Sequence, residues 1–244
     1  GTDVAKAAAD LILIDNSFSV ITAAIGEGRR ITANLRKIVA SLLSTSFSEI
    51  IVIGGSLAAG APLPLLPTQI LWANIIGEGF MSFPLAFEPK EKNAMKQKPG
   101  KRGVRSILTK QARWFIFSVS IITGVTLLGL FLILLSVGVH IDKIRTIIFI
   151  MLSIDSILFA FAFRDLSQPF WRINFFSNTF LLGAFAINST LLLFVISVTP
   201  MQQLLSLRPL SLQELAVLFS LGFASLIGVE IAKHFIFKEK KSQR

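Results

Sequence analysis

Residues 71–80 read LWANIIGEGF, which sets an amide (Asn74), a carboxylate (Glu78) and two glycines inside a run otherwise apolar enough to cross a membrane. The surrounding composition fixes what that means. The chain of 244 residues is 53% hydrophobic, has a mean hydropathy of +0.71 and is only 16% charged. That balance is too apolar for an ordinary soluble domain of this length. Working outward from Leu71, six apolar runs fall at 38–60, 67–87, 115–137, 144–163, 175–198 and 212–235. Each is roughly 20 residues, enough to cross a hydrocarbon core of about 30 Å as a helix. The expected fold is therefore mainly α, a six-helix transmembrane bundle embedded in a lipid bilayer.

The 24 Lys and Arg outweigh the 14 Asp and Glu to give a formal charge of +10, but the cations cluster between the apolar runs. Nine lie between Lys90 and Arg113, two more are Arg164 and Arg172, and the chain ends in KEKKSQR. The other side of the bundle carries only APLPLLP, the VHIDK turn and SLRPLS. Because cytoplasmic loops concentrate Lys and Arg, both ends and the basic loop are expected in the cytoplasm. The same basic loop suits an anionic leaflet. A nucleic-acid partner is excluded by the six apolar runs. With no cysteine, disulfides, thiolate metal sites and cysteine nucleophiles are excluded as well. The start GTDVAKAAAD has neither an initiator methionine nor a signal-peptide pattern, so the sequence is expected to be part of a longer protein.

The first 37 residues differ in kind. Thr2 or Asp3 is placed to cap a short Ala-rich helix, LILI at 11–14 is a strand candidate, and Asp15-Asn16-Ser17 is a turn cluster. Together they read as the edge of a soluble α/β domain. From Ser19 onward apolar residues recur at helical spacing, and no proline intervenes before Pro62. A helix continuous from Ser19 to Ala59 would be about 60 Å long, with half of it outside the bilayer. Gly26, Gly28 or the Gly54-Gly55 pair could instead divide it, since glycine costs about 1 kcal/mol in a helix interior.

A carboxylate at membrane depth is costly, so it is expected to face the bundle or an aqueous cavity and to serve a function. Asn74 and Glu78, four residues apart, share a helix face. Gly77 and Gly79 flank Glu78 and permit unwinding that would turn carbonyls toward a cation. The first run adds Glu49 within STSFSEIIVIGG, with Ser46 three residues earlier on the same face. Two carboxylates, an amide and a hydroxyl form a hard, oxygen-rich set suited to Ca2+, Na+, K+ or H+ and unsuited to soft metals. The alternatives are a buried partner for Glu49 and interhelical hydrogen bonding for Asn74. His140, in a short external turn, reads as solvated, and Glu230 as interfacial near Lys233 and His234.

GTDVAKAAADLILIDNSFSVI followed by EGRRITANLRKI resembles the end of the phosphorylation domain and the stalk of a P-type cation-transporting ATPase. TQILWANIIGEGFMSFPLAFEP resembles that family's sixth transmembrane helix, and six runs after the stalk match its spans five to ten. The likeness is to the type II pumps, calcium-pump-like or sodium/potassium-pump-like. It implies a division into residues 1–18 (edge of the phosphorylation domain), 19–37 (cytoplasmic stalk), 38–87 (spans with the ion site), 88–113 (basic loop), 114–237 (four further spans) and 238–244 (basic tail). It also implies that Glu49, Asn74 and Glu78 contact the transported ion. Two positions depart from the calcium-pump pattern N-x-x-T-D: Gly77 stands where that pattern has Thr, and Glu78 where it has Asp. Ser46 stands where those pumps carry Asn. Asp155, in LSIDSILFAF, is a further ligand candidate, although Ser156 aligns with the expected acidic position. ATP, Mg2+ and the phosphorylated aspartate would belong to the missing N-terminal part of the pump, with no catalytic residue in this portion. The cell membrane is the expected location. The competing reading is a self-contained six-span channel or structural membrane protein.

Overall fold

In the computed structural model, residues 2–10, 12, 18–90, 95, 107–166 and 168–238 are described. Thr2 caps α1 (Asp3–Ala7), its hydroxyl accepting from the Ala5 N–H at 3.3 Å. The strand expected at 11–14 and the turn at 15–17 lie outside the described residues but for Ile12, and no strand occurs among the described residues. Helix α2 runs unbroken over Phe18–Ala58, 41 residues, so its four glycines are carried inside it. It stops where Gly60 adopts a positive φ of 67°. There the Gly60 and Ala61 N–H groups return to the Leu57 and Ser56 carbonyls at 3.0 and 2.9 Å, a Schellman ending that only glycine enters without strain.

The second apolar run forms one helical rod, α3 (Pro67–Phe87), whose winding changes three times. It is α-helical over Pro67–Trp72, widens to a π-helix over Ala73–Gly79, returns to α at Phe80–Ser82 and ends as a 3-10 helix over Phe83–Phe87. The glycines at 77 and 79 thus widen the helix; they do not unwind it. Four further spans complete the bundle. These are α4 (Lys110–Ser136), α5 (Ile141–Phe163), α6 (Thr179–Ser197) and α8 (Leu212–Lys238), with the short α7 (Thr199–Leu204) between the last two. Gly138, at φ 83°, repeats the Schellman ending after α4, with Val139 N–H on the Leu134 carbonyl at 3.1 Å.

Helix α5 is the post around which the others stand: 89% of its apolar window is buried, against 28–39% for the other five spans. The rest turn one side inward and leave large apolar residues such as Ile133, Phe194, Phe219 and Phe223 on the outside, as a lipid-facing surface requires. Helices α2 and α4 approach closely through small residues. A Cβ added at Gly124 would lie 2.8 Å from the Ile51 Cβ, so glycine at 124 is what permits this contact.

Polar groups tie the two ends of the bundle. At one end the Arg164 Nε donates to Glu88 Oε1 at 2.8 Å, both side chains at most 5% exposed, and Asn178 Nδ2 donates to the same oxygen at 2.8 Å. The stalk joins this cluster, since Asn34 Nδ2 donates to the Ala86 and Glu88 carbonyls at 3.0 and 2.9 Å. The other end is held by Arg145 on the Leu63 carbonyl at 3.0 Å and by the Lys143–Glu214 and Arg208–Asp142 ion pairs at 2.5 and 3.2 Å.

Glu230 stands beside Lys233, as the sequence reading expects. Glu230 is buried on α8 and paired with Lys233 at 2.7 Å, one helical turn on, with both side chains at most 2% exposed. Lys233 also donates to the Ala162, Asp165 and Gln168 carbonyls at 2.7, 3.1 and 3.1 Å, and so caps the C-terminal end of α5. A lysine stem is long enough to bury its methylenes and carry its charge to those orphan carbonyls. His140 lies in the short turn before α5 and caps that helix by accepting from the Asp142 N–H at 3.4 Å.

Candidate functional site

Where α2, α3, α4 and α5 meet, the apolar interior opens into a polar cavity. Its lining includes Ser44, Thr45, Ser48 and Glu49 from α2, Ala73 and Glu78 from α3, Thr123 from α4, and Leu152, Asp155, Ser156 and Phe159 from α5. Its free volume is about 10 Å³, roughly what one water or a bare cation needs.

Helix geometry explains why these residues converge. Ser41, Ser44, Thr45 and Ser48 recur every three or four positions, which gives α2 a hydroxyl stripe on the face that Glu49 extends. Several of these hydroxyls sit on their own helix: Ser44 donates to the Ala40 carbonyl at 2.7 Å, Thr45 to Ser41 at 3.1 Å, and Ser48 to Thr45 at 2.7 Å. Ser44 and Ser48 therefore present lone pairs, not protons, to whatever lies beyond.

On α3 the π-helical turn carries Glu78. Ordinary α-helical bonding is disturbed there, and an outside group takes up the exposed carbonyls. Asn188 of α6 donates from Nδ2 to Ile76 O at 3.0 Å and Gly77 O at 3.1 Å. π-Helical turns are rare and recur at functional sites. Gly77 packs against α5, where a Cβ would stand in ordinary contact, 3.6 Å from Ser156 Oγ.

The residues singled out from the sequence divide as follows. Glu49 and Glu78 line the cavity from two helices, each 6% exposed. Asn74 is not among the lining residues but supports one of them, donating from Nδ2 to Glu49 Oε2 at 3.3 Å and to the Ile70 carbonyl at 3.0 Å. Asp155 and Ser156, adjacent on α5, both reach the lining, so the choice between them does not arise. Ser46 is half-buried and is not among the lining residues; Thr45 and Ser48 flank the cavity in its place. The sequence reading missed Ser44, Thr45, Ser48, Thr123 and Asn188. A periodic hydroxyl stripe on α2 was a usable signal for the first three.

Two further facts limit the chemistry. Glu49 Oε1, Asp155 Oδ1 and Thr123 Oγ1 are buried without a hydrogen-bond partner among the described residues. Buried polar oxygens are normally satisfied, so three orphans on one cavity mark a place shaped for a guest. Among the described residues, however, no three His, Cys, Asp or Glu side chains gather closely enough to hold a metal by themselves. Any cation held here must rely on neutral oxygens as well as carboxylates.

A bundle of membrane-spanning helices enclosing an oxygen-lined cavity, with a long helix leading out of it, defines an integral membrane protein built around a polar site. The chain belongs to the cation-transporting ATPases: the family described as "Cation transporting ATPase, C-terminus" matches residues 62–235. It is 34% identical to a calcium-transporting ATPase of Bacillus subtilis, over 83% of this chain and 23% of that protein. It is 29% identical to calcium-transporting ATPase 1 of Bacillus cereus, over 96% of this chain and 28% of that protein. A calcium-transporting ATPase type 2C member 2 of Rattus norvegicus is 32% identical over 96% of this chain and 25% of its own length. The chain thus spans about a quarter of the length of these relatives.

Proposed function

We propose that this chain is the membrane-embedded C-terminal portion of an ATP-driven cation pump, that the cavity between α2, α3, α4 and α5 holds the transported ion, and that the ion is Ca2+. The observation that carries the reading is the meeting of Glu49 and Glu78 from two helices in one small cavity, with Asn74 donating to Glu49 beside it. Hard oxygen donors favour Ca2+, Na+, K+ or H+ over soft metals, and two carboxylates with neutral oxygens favour a divalent ion among these. The names of the relatives lean the same way. ATP and Mg2+ would act in the N-terminal part of the full-length protein, outside this chain.

Helix α2 is the coupling element in this reading. One continuous rod carries Asn34, on the stalk, and Glu49, in the cavity. A tilt of the outer half would therefore move the inner half, and the Asn34–Glu88 contact would carry the same displacement to the end of α3. The bundle lies with both ends of the chain in the cytoplasm of a cell membrane, on the strength of its basic segments.

The test is phosphoenzyme formation from ATP by the full-length protein, with Ca2+, Na+, K+ or Mg2+ supplied alone. Phosphorylation that requires Ca2+ is the expected result. Phosphorylation indifferent to Ca2+ at every pH would remove it as the cargo.

A further inference from the structure

We propose that Thr123 of α4 is a cation-contacting residue, supplying a neutral oxygen to the guest from a helix that contributes no carboxylate to the cavity. This inference rests on the cation reading of the cavity and adds a residue that neither the sequence motifs nor the charged positions pointed to.

The first observation is how hydroxyls behave elsewhere in the bundle. A serine or threonine inside a membrane helix ordinarily satisfies its proton on the carbonyl three or four residues back. Ser120 and Thr126, on the same helix as Thr123, do so at 2.7 and 2.6 Å on Ile116 and Ile122, and Ser153 does so on α5 at 2.9 Å. Thr123 does not. Its side chain is buried, 3% exposed, and its Oγ1 has no partner among the described residues.

The second observation is where that oxygen lies. Thr123 lines the cavity that Glu49 and Asp155 also line, and these two carry the other orphaned oxygens of the lining, one each. Three residues that each carry an unpartnered oxygen therefore line one space from three different helices, α2, α4 and α5. Gly124, the next residue, is what lets α4 come this close to α2 at Ile51. The close approach and the unpartnered hydroxyl are thus neighbours on one helix.

The third is the arithmetic of coordination. Ca2+ takes about 6–8 oxygens at about 2.3–2.6 Å. No three acidic or imidazole side chains cluster among the described residues, so the carboxylates do not fill such a shell alone. A neutral hydroxyl adds a ligand without adding charge repulsion. It also distinguishes a cation from an empty or apolar cavity, where an unpartnered hydroxyl only destabilises.

That distinction gives a test with two signs. In the full-length protein, Thr123→Val keeps the shape and removes the oxygen, whereas Thr123→Ser keeps the oxygen. Thermal unfolding with and without Ca2+ is measured alongside the Ca2+ concentration that half-saturates phosphoenzyme formation. The valine variant is expected to unfold at the same or a higher temperature without Ca2+, because an unsatisfied polar group has gone. Its Ca2+-induced rise in unfolding temperature should shrink, and its half-saturating Ca2+ should increase about tenfold, as for loss of one contact to a charged ligand. The serine variant should stay within about threefold of the parent, short of that tenfold step. If valine leaves the Ca2+ response unchanged while Glu49→Gln shifts it, Thr123 is not a ligand and the cavity reading stands. If neither substitution shifts it, the cavity itself is not the cation site and both readings fall. A valine variant that is destabilised without Ca2+ yet retains the full Ca2+ increment assigns the hydroxyl to packing and overturns the proposal.

Discussion

Asn188 donates to the carbonyls of both Ile76 and Gly77, at 3.0 and 3.1 Å, and so pins the fifth span to the wide turn that carries Glu78. In a π-helical turn the next carbonyl-to-amide register is one residue longer than in an α-helix, and without an outside donor the turn gains by tightening. Tightening by one residue swings a side chain about 100° around the axis. Asn188→Leu, which keeps the volume, is therefore expected to rotate Glu78 away from Glu49 and weaken the cation response severalfold. It should also cost roughly 1–3 kcal/mol of stability, because two buried carbonyls lose their donor. The cation dependence of phosphoenzyme formation and thermal unfolding in detergent check both. An Asn188→Gln variant that retains either bond should fall between the two.

The Glu230–Lys233 pair gives an expectation of the opposite kind. It lies on α8, away from the cavity lining, and its lysine caps the end of α5. Glu230→Gln should leave cation affinity unchanged but lower stability. The loss should fall toward the lower end of the about 3–5 kcal/mol that breaking a buried pair costs, since three carbonyls still hold the ammonium. Lys233→Met should cost more, for it strands Glu230 and three carbonyls together. Unfolding temperature and cation affinity, measured on the same samples, separate these effects.

The contrast between Glu230 and Glu78 shows what a sequence can and cannot reveal about such a bundle. The spans themselves were legible because apolar runs of about 20 residues have few alternative uses. The continuity of α2 was legible because no proline lies between Ser19 and Pro62. The fifth span was placed four residues early, at Phe175, since apolar character does not show that Asn178 caps the helix while Phe175–Ser177 forms a 3-10 turn. Glu49, Glu78 and Asp155 were conspicuous because charge is costly in an apolar run. Thr45, Thr123 and Asn188 were not, because Ser, Thr and Asn are common in membrane helices and gain meaning only from the neighbour they face. The burial of Glu230 was hidden for a related reason: position near the end of a span does not reveal that Lys233 can reach across to the end of another helix.

Orientation follows from charge. The nine cations between Lys90 and Arg113 should anchor that loop in the cytoplasm. A membrane-impermeant amine reagent applied to inside-out vesicles is thus expected to modify Lys96 and Lys240, both outside the described residues, and to spare Lys143 at the far end of α5. Peptide mass spectrometry reads the outcome. Lys96 and Lys143 labelled from one face would break the six-span topology.

The strongest expectation concerns the two cavity carboxylates. Glu→Gln at position 49 or 78 preserves volume and much of the hydrogen bonding while removing one charge. A charge beside a cation acts far more strongly in a desolvated cavity than at a surface, where water screens it. Both residues sit in that cavity with 6% exposure, and Asn74 already holds one Glu49 oxygen at 3.3 Å, leaving Oε1 unpartnered among the described residues. Each substitution should accordingly lower cation affinity in the full-length protein by at least about tenfold, or about 1.4 kcal/mol. Phosphorylation by inorganic phosphate in the reverse direction should survive, because it needs the fold and the soluble domains but not the bound ion. Glu230→Gln serves as the companion variant, a buried carboxylate lost from the same bundle without contact with the cavity. If Glu49→Gln and Glu78→Gln behave like Glu230→Gln, shifting stability but not ion dependence, then both carboxylates are structural. The search would move to Asp155, which lines the same cavity from α5 and carries an unpartnered oxygen.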